Sequence, residues 1–123
     1  MKVLIVDDSA VMRRIIIREL KALEISTDDI MEAGDGAECL QMVQTHPFDI
    51  ILMDWNMPNM LGIDAVKAIR AKGIKTAILM ITTESERSNV ITAIQAGANN
   101  YLAKPFTSDD FAVKFKQVTS VPA

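Results

Sequence analysis

The sequence Phe-Asp-Ile-Ile-Leu-Met-Asp at residues 48–54 contains four apolar residues in a row and ends on an aspartate, Asp54. A short, continuously apolar run predicts a strand buried on both faces, as occurs in a parallel sheet covered by helices. We predict this strand at residues 50–53 and two of the same kind at residues 3–6 and 76–81. Weaker strands are expected at residues 29–33 and 100–103.

The segments between these runs have apolar residues at helical spacing. A first helix is expected over residues 9–23, and a second begins at Gly36 and ends before His46. Gly73 and Gly97 are expected to end the third and fourth helices, because glycine readily adopts the left-handed conformation found there. The predicted apolar faces are Met12, Ile16, Leu20 and Leu23; Leu40 and Val43; Val66 and Ile69; Val90, Ile91 and Ile94; and Phe111, Phe115 and Val118.

Two helix starts have the spacing of a capping box, Thr83 with Glu86 and Thr107 with Asp110. Strand and helix alternate five times, which predicts an α/β fold with an open, doubly wound parallel sheet and helices on both faces. A closed barrel of eight such units needs about 250 residues, and this chain has 123. We expect residues 1–123 to form one domain.

Composition excludes several classes of protein. The formal net charge of −3 gives no general attraction to nucleic acid or to an anionic membrane. The N-terminal apolar run is too short for a signal peptide or a membrane span, so a soluble, cytoplasmic protein is expected. Cys39 is the single cysteine and has no histidine nearby to activate it, so we expect an unreactive helix thiol. His46, before Pro47, is expected to face away from any site.

Polar residues follow the predicted strands at their carboxyl ends. They are Asp7 and Asp8, Asp54, Thr82 with Thr83, and Lys104 with Pro105. A parallel sheet brings all of them to one edge, which is where open α/β sheets bind ligands. Two carboxylates roughly 4 Å apart repel by on the order of 4 kcal/mol at an effective dielectric of 20. Oxygen ligands without histidine or thiolate favour a hard cation such as Mg²⁺ to offset that repulsion.

An aspartate in this setting is a candidate nucleophile. A carboxylate can accept a phosphoryl group as an acyl phosphate, and a metal, a lysine and a hydroxyl are the groups that hold one. Each motif alone has a plainer explanation, because aspartate and threonine are common helix caps and Lys-Pro is a common turn. Four such features at four strand ends favour a phosphoryl-accepting site at Asp54.

The chain resembles the receiver domain of bacterial two-component response regulators over essentially its whole length, and within that family it is closest to the single-domain, CheY-like chemotaxis regulators. The matching motifs are Val6-Asp7-Asp8-Ser9, Asp54-Trp55-Asn56-Met57-Pro58-Asn59-Met60, Thr82, Ala96-Gly97-Ala98, Tyr101 and Lys104-Pro105-Phe106. The resemblance implies a flavodoxin-like sheet of five parallel strands in the order 2-1-3-4-5 with five helices.

The resemblance also implies a role for each site residue. Asp54 would be the phosphoacceptor for a CheA-like sensor histidine kinase. Asp8 would bind Mg²⁺ directly, Asp7 mainly through water, and Asp54 and the Asn56 backbone carbonyl would complete the protein ligands, with Mn²⁺ as a substitute ion. Thr82 and Lys104 would contact the phosphoryl oxygens, and Lys104-Pro105 would be a cis peptide. Such a domain catalyses only its own phosphorylation and autodephosphorylation.

A switch and an output surface follow from the same resemblance. Movement of Thr82 would let the ring of Tyr101 turn inward, and Val90, Tyr101 and Lys114 match a partner-binding surface. Without the resemblance, Tyr101 is an ordinary aromatic on an edge strand. Trp55 is the only tryptophan and neighbours Asp54, so its fluorescence is expected to report on the site.

Three positions depart from the family pattern. Thr83 stands where a smaller residue is usual and is expected to narrow access to the phosphoryl group. Leu61 replaces the usual aspartate before Gly62 and is expected to be an exposed apolar residue on the loop beside the site. Ser9 follows the acidic pair at a variable position, where it is expected to tune the kinetics. Asn56 and Glu84, by contrast, match a pattern linked with rapid autodephosphorylation. We therefore expect a short-lived phosphoprotein.

Three other functions fit the sequence less well. A phosphatase of the haloacid dehalogenase type needs Asp-x-Asp after the first strand and a cap, whereas here the acidic pair is adjacent and no insertion is long enough for a cap. An FMN carrier needs a Ser/Thr/Gly-rich phosphate loop, which does not follow the first strand, and a non-phosphorylated interaction module would lack Lys104 or an aspartate, which this chain has. Three outputs stay open: a chemotaxis regulator that binds a flagellar motor switch protein, a phosphorelay carrier, or a receiver excised from a larger regulator. The protein is expected to be a monomer and to have a phosphatase as a further partner. Binding to nucleic acid or to a membrane is not expected.

Overall fold

The computed structural model describes residues 1–83 and 87–119 and has a five-stranded sheet flanked by helices. The strands are β1 (Val3–Val6), β2 (Ile30–Ala33), β3 (Ile50–Asp54), β4 (Ala77–Thr82) and β5 (Asn100–Ala103). The helices are α1 (Ala10–Ala22), α2 (Gly36–Thr45), α3 (Gly62–Ala71), α4 (Arg87–Ala96) and α5 (Ser108–Thr119), and a 3₁₀ turn covers Thr27–Asp29. All neighbouring strands are parallel and their order is β2-β1-β3-β4-β5, which confirms the predicted fold class.

The sheet has a hydrophobic core on each face, because successive side chains of a strand point to opposite sides. Leu4 and Val6 of β1 belong to the core that α2, α3 and α4 cover. Val3 and Ile5 belong to the other core, which α1 and α5 cover. Helices on both faces explain why the central strands read as unbroken apolar runs.

The ends of the helices agree with most of the predicted signals. Thr107 and Asp110 form the expected capping box: the Asp110 amide donates to the Thr107 hydroxyl at 3.0 Å, and the Thr107 amide donates to the Asp110 carboxylate at 3.2 Å. Gly73 and Gly97 have the positive φ angles, 78° and 119°, expected of helix-terminating glycines. The predicted box of Thr83 with Glu86 lies partly outside the described residues.

The apolar face of α4 differs from the prediction. Ile91 and Ile94 are each 45% exposed, and the fully buried residue of this helix is Ala93. Val90, Ala93 and Ala96 share the face of α4 that is turned to the sheet. The helical period of 3.6 residues places Ile91 and Ile94 away from that face. This leaves two exposed apolar side chains on α4.

Arg70 at the end of α3 makes contacts that the sequence pattern did not predict. Its guanidinium donates to the carbonyl oxygens of Gly97, Ile74 and Thr76 and to the side chain of Asn99, at distances of 2.8–3.1 Å. Partial burial lowers its pKa from the ordinary arginine value. The arginine therefore joins the end of α3 to the start of β4 and to the turn after α4.

Within residues 1–83 and 87–119, no helix has both the length and the apolar character needed to cross a bilayer. Cys39 is fully buried in the core under α2, and burial raises the pKa of its thiol to about 12. His46 contacts Phe48 in the loop that precedes β3, at the opposite end of the strand from Asp54. His46 is thus remote from the carboxyl edge, as expected, and Cys39 is a buried thiol on a helix.

Candidate functional site

Three aspartates converge at the carboxyl edge of the sheet. Carboxylate oxygens of Asp7, Asp8 and Asp54 all lie within 4.8 Å of one another. Asp7 is 2% exposed and Asp54 8% exposed, whereas Asp8 faces solvent. The structure therefore brings together the three acidic residues that the sequence placed at the ends of two different strands.

Neighbouring strands hold two of these aspartates side by side. Val6 of β1 is in register with Met53 of β3, so the next residue of each strand is acidic. Asp54 is itself the last residue of β3, one position further along the strand than predicted, and pairs with Ile81 of β4. The backbone of the sheet fixes the separation of the two carboxylates.

The backbone around Asp7 is also fixed by local hydrogen bonds. The Asp7 amide donates to the Ala33 carbonyl at 3.1 Å, and the Ser9 amide donates to Oδ1 of Asp7 at 2.9 Å. The Ser9 hydroxyl then caps α1 by accepting from the Met12 amide. Ser9 thus has a defined structural role next to the acidic pair.

Arg13 of α1 reaches back over this turn. Its Nη1 donates to the Asp7 carbonyl at 2.6 Å, and its Nε donates to Oε1 of Glu32 at 2.8 Å. Sequence reasoning did not identify Arg13 or Glu32, because the contact joins α1 to β2 and has no local spacing signal.

Lys104 supplies the positive charge of the site. Its Nζ lies 3.0 Å from Oδ2 of Asp7 and 3.1 Å from Oδ1 of Asp54, and its side chain is 12% exposed. The Lys104 amide donates to the Thr82 carbonyl at 2.8 Å, and the Lys104-Pro105 bond is cis, as the resemblance implied. One lysine therefore bridges the two buried carboxylates.

The electrostatics of Asp54 follow from this setting. Removal from water raises the pKa of the Asp54 carboxyl, the neighbouring Asp7 raises it further, and Lys104 acts in the opposite direction. Burial is the largest of these effects, so the pKa lies above the ordinary aspartate value. A more basic carboxylate is a better nucleophile, and a further cation beside it would lower its pKa again.

Thr82 and Thr83 differ in their surroundings. Thr82 is the last residue of β4 and is buried, in register with Ala103 of β5. Thr83 follows it and is exposed. Glu84 lies outside the described residues. The structure thus puts Thr82 beside the strand that leads into Lys104.

The loop from Trp55 to Leu61 forms the rim of the site. Trp55 is half-buried against the core, Asn56 is exposed, and Leu61 is 42% exposed. A side chain at Gly62 would collide with the Asp54 carbonyl oxygen, so only glycine allows α3 to begin this close to Asp54. The exposed apolar Leu61 agrees with the expectation from the sequence.

Tyr101 and Lys114 meet outside the acidic cluster. Lys114 Nζ lies 5.3 Å from the centre of the Tyr101 ring and 3.4 Å from Oδ1 of Asn100. Val90 of α4 is half-buried. The predicted output residues therefore lie on β5, α5 and α4, apart from the acidic cluster.

The donor set fits a hard divalent cation. Three carboxylates supply oxygen alone, and no histidine or thiolate belongs to the cluster within the described part of the chain. Mg²⁺ prefers such a set of few carboxylates completed by water. A cation held by these carboxylates, together with Lys104, could hold the negatively charged oxygens of a phosphoryl group.

The chain is similar in sequence to proteins of one family. The family model of the response regulator receiver domain matches residues 3–116. The chain is 43% identical over 120 residues to the chemotaxis protein CheY of Pseudomonas aeruginosa, covering 96% of this chain and 95% of that protein.

Two solved structures have the same fold. The receiver domain of the Francisella response regulator 1452 superposes with a TM-score of 0.87 at 29% identity, covering 97% of this chain and 96% of that chain. The chemotaxis protein CheY4 of Vibrio cholerae superposes with a TM-score of 0.86 at 36% identity, covering 95% of this chain and 97% of that chain.

Proposed function

The chain belongs to the response regulator receiver family, and we propose from its site that Asp54 accepts a phosphoryl group from a phosphohistidine of a sensor histidine kinase. One observation carries the proposal: Lys104 Nζ lies within 3.1 Å of Asp54 while Asp7 and Asp8 lie beside it. That set holds a carboxylate nucleophile, a cation for phosphoryl oxygens and ligands for a metal in one small volume.

The transfer step is a displacement at phosphorus. A carboxylate oxygen of Asp54 forms the new P–O bond while the P–N bond to the imidazole breaks. The bonding pair leaves with the imidazole nitrogen, which takes up a proton from solvent. Hydrolysis regenerates the free Asp54 carboxylate: water attacks phosphorus, the P–O bond to Asp54 breaks, and inorganic phosphate leaves. The protein acts on itself in both steps, so it is a signalling domain and not an enzyme with a separate substrate.

The acidic cluster is proposed to hold the metal. Asp7, Asp8, Asp54 and the backbone carbonyl of Asn56 would hold Mg²⁺, or Mn²⁺ in its place. When bound, the ion neutralises charge on the phosphoryl oxygens and so lowers the repulsion between the donor and the aspartates. Lys104 contributes a second positive charge beside the Asp54 carboxylate, and the Thr82 hydroxyl would donate to a phosphoryl oxygen.

Phosphorylation is proposed to change which partners bind. A phosphoryl group adds negative charge and strong acceptors next to Lys104 and Thr82, and both side chains would be drawn toward it. Lys104 and Thr82 join directly onto β5 and β4, so their movement would alter the surface that contains Tyr101, Lys114 and Val90. Identity of 43% to chemotaxis CheY proteins supports a flagellar motor switch protein as the output partner and a CheA-like kinase as the donor.

Fluorescence of Trp55 tests the input step. Mg²⁺ with beryllofluoride or acetyl phosphate is expected to change Trp55 emission in the wild type and not in Asp54→Asn. Asp28→Asn is a matched control, because Asp28 is an exposed aspartate in the 3₁₀ turn before β2, at the opposite edge of the sheet. An equal response in Asp54→Asn would overturn the proposal, and so would loss of the response in Asp28→Asn.

A peptide titration tests the output. The N-terminal segment of a flagellar motor switch protein is titrated against resting and beryllofluoride-activated protein. Tighter binding to the activated form supports the chemotaxis output. Equal binding to both forms would contradict it and leave the phosphorelay carrier and the receiver of a larger regulator as the remaining outputs.

A further inference from the structure

The loop of residues 55–61 links the phosphoacceptor strand β3 to α3, and its far end is tightly fixed. The Gly62 amide donates to the Trp55 carbonyl at 2.8 Å, which closes the loop on itself. Gly62 also lies directly against the Asp54 carbonyl. The conformation of this loop therefore determines where the Asn56 backbone sits relative to the aspartates.

The middle of the loop is held by a side chain from another element. Asn59 Nδ2 donates to Oδ2 of Asp35 at 3.0 Å, across a sequence separation of 24 residues. The other carboxylate oxygen of Asp35, Oδ1, accepts from the Glu38 amide at 2.8 Å and caps α2. One aspartate thus connects the loop to the first turn of a helix.

The backbone at Asn59 adopts a conformation suited to this contact. Its φ is +70°, in the left-handed region where asparagine is tolerated better than most residues. Met60 follows and fills the space over Gly36, where an added Cβ would lie 2.9 Å from the Met60 Cβ. Two successive loop residues therefore contact two successive residues at the start of α2.

The charge on Asp35 strengthens the contact. Hydrogen bonds from the Glu38 amide and then from the Asn59 side chain hold the pKa of Asp35 below the ordinary aspartate value. The acceptor is therefore ionised at neutral pH, and hydrogen bonds to an ionised acceptor are stronger than neutral ones.

We propose that Asp35 and Asn59 are positioning residues whose hydrogen bond holds the 55–61 loop in the conformation that binds a divalent cation. Neither side chain belongs to the acidic cluster, so they act through the loop backbone and not as ligands. The inference rests on the proposed function, because it takes the cluster with the Asn56 carbonyl as the cation site.

Asn59→Gly is the sharpest test. Glycine accepts the positive φ and removes only the side-chain amide, whereas alanine would add backbone strain. Glu24→Gly is the matched control, because Glu24 has a φ of 67° in the turn after α1, at the opposite edge of the sheet. Mg²⁺ affinity is measured by calorimetry, since Trp55 lies within the loop, and thermal unfolding is recorded in parallel.

Asn59→Gly is expected to weaken Mg²⁺ binding by about threefold to tenfold, the range equivalent to one lost hydrogen bond. Glu24→Gly is expected to leave the affinity unchanged, which separates the effect from a general loss of stability. A Kd for Asn59→Gly within twofold of the wild type would overturn the inference, and so would an equal loss in Glu24→Gly.

A double-mutant cycle completes the test. Asp35→Ser keeps an N-cap oxygen for α2 but leaves none for Asn59. If the two residues act through one hydrogen bond, the Mg²⁺ affinity of the double variant is about the same as that of the single variant with the lower affinity. Fully additive losses would contradict the shared bond. If the wild-type protein bound no Mg²⁺, the proposed metal site itself would be overturned. That outcome is distinct from a failure of the positioning role of Asp35 and Asn59.

Discussion

The ammonium nitrogen of Lys104 lies 3.1 Å from Oδ1 of Asp54, although 50 residues separate them in the chain. The pair joins the ends of β3 and β5, which are not neighbours in the sheet, since β4 lies between them. The same nitrogen contacts Asp7 at the end of β1. Lys104 therefore links Asp54 to Asp7 across the carboxyl ends of three strands.

Lys104→Met is expected to destabilise the fold by about 3 kcal/mol at pH 7, because it leaves two buried carboxylates without their cation. The loss should shrink as pH falls and Asp54, whose pKa is raised by burial, becomes protonated. Urea unfolding at pH 7 and pH 4 measures both effects. Lys116→Met, which removes an exposed lysine of α5, is the control with little expected change. Equal stability of Lys104→Met and wild type at pH 7 would contradict the account.

Asp54→Asn is expected to stabilise the protein by about 1 kcal/mol at neutral pH. The pKa of Asp54 is raised in the folded state, so its ionised form opposes folding above that pKa. Below the ordinary aspartate pKa both states are protonated, and the advantage of the asparagine should vanish. Thermal unfolding from pH 7 down to pH 3 measures the trend. If the stability difference between Asp54→Asn and the wild type grew toward acid pH, the predicted direction of the effect would be wrong.

Gly62→Ala is expected to destabilise the fold by about 2 kcal/mol, since the added methyl collides with the Asp54 carbonyl and the backbone there must shift. Gly34→Ala is a matched control, because a Cβ at Gly34 meets no atom within 4 Å. Chemical unfolding of both variants compares them directly. A similar stability for the two would indicate that α3 can move away from the acceptor without cost.

Arg70→Met is expected to cost about 2 kcal/mol or more, because three backbone carbonyls lose their donor. Hydrogen exchange should report faster opening at Ile78 and Asn99, whose amides lie next to the lost contacts. Arg18→Met, at an exposed position on α1, serves as the comparison. Unchanged exchange at both amides would contradict the role of the guanidinium.

Cys39 is expected to resist thiol reagents in the folded protein. Its thiol is fully buried, and burial raises its pKa to about 12, so almost no thiolate exists near neutral pH. Labelling at pH 8 should be slow in buffer and immediate in denaturant. Rapid labelling in buffer would mean that α2 opens readily.

The sequence predicted the elements whose signals are local. Unbroken apolar runs such as residues 50–53 identified buried strands, and Thr107 with Asp110 identified a helix start, because both patterns act over a few residues. The convergence of Asp7, Asp8 and Asp54 followed from parallel topology alone. The cis Lys104-Pro105 bond came from family resemblance, since no local pattern specifies it.

Contacts between distant elements were not predictable in the same way. Three such contacts join segments whose relative placement is set by tertiary structure. They are the hydrogen bonds of Arg70 to Gly97, of Arg13 to Glu32 and of Asn59 to Asp35. Ile91 and Ile94 were wrongly assigned to the buried face. A helical period identifies an apolar stripe, but the packing of Ala93 into the core decides which face of α4 is buried.

The central claim is that Asp54 receives the phosphoryl group, and covalent trapping tests it most directly. Protein incubated with Mg²⁺ and acetyl phosphate is treated with borohydride, which reduces an aspartyl phosphate to homoserine, and the modified residue is located by peptide mass spectrometry. We predict homoserine at position 54 only, dependent on Mg²⁺ and absent from Asp54→Asn. Homoserine at Asp7 or Asp8, or none at any position, would contradict the account.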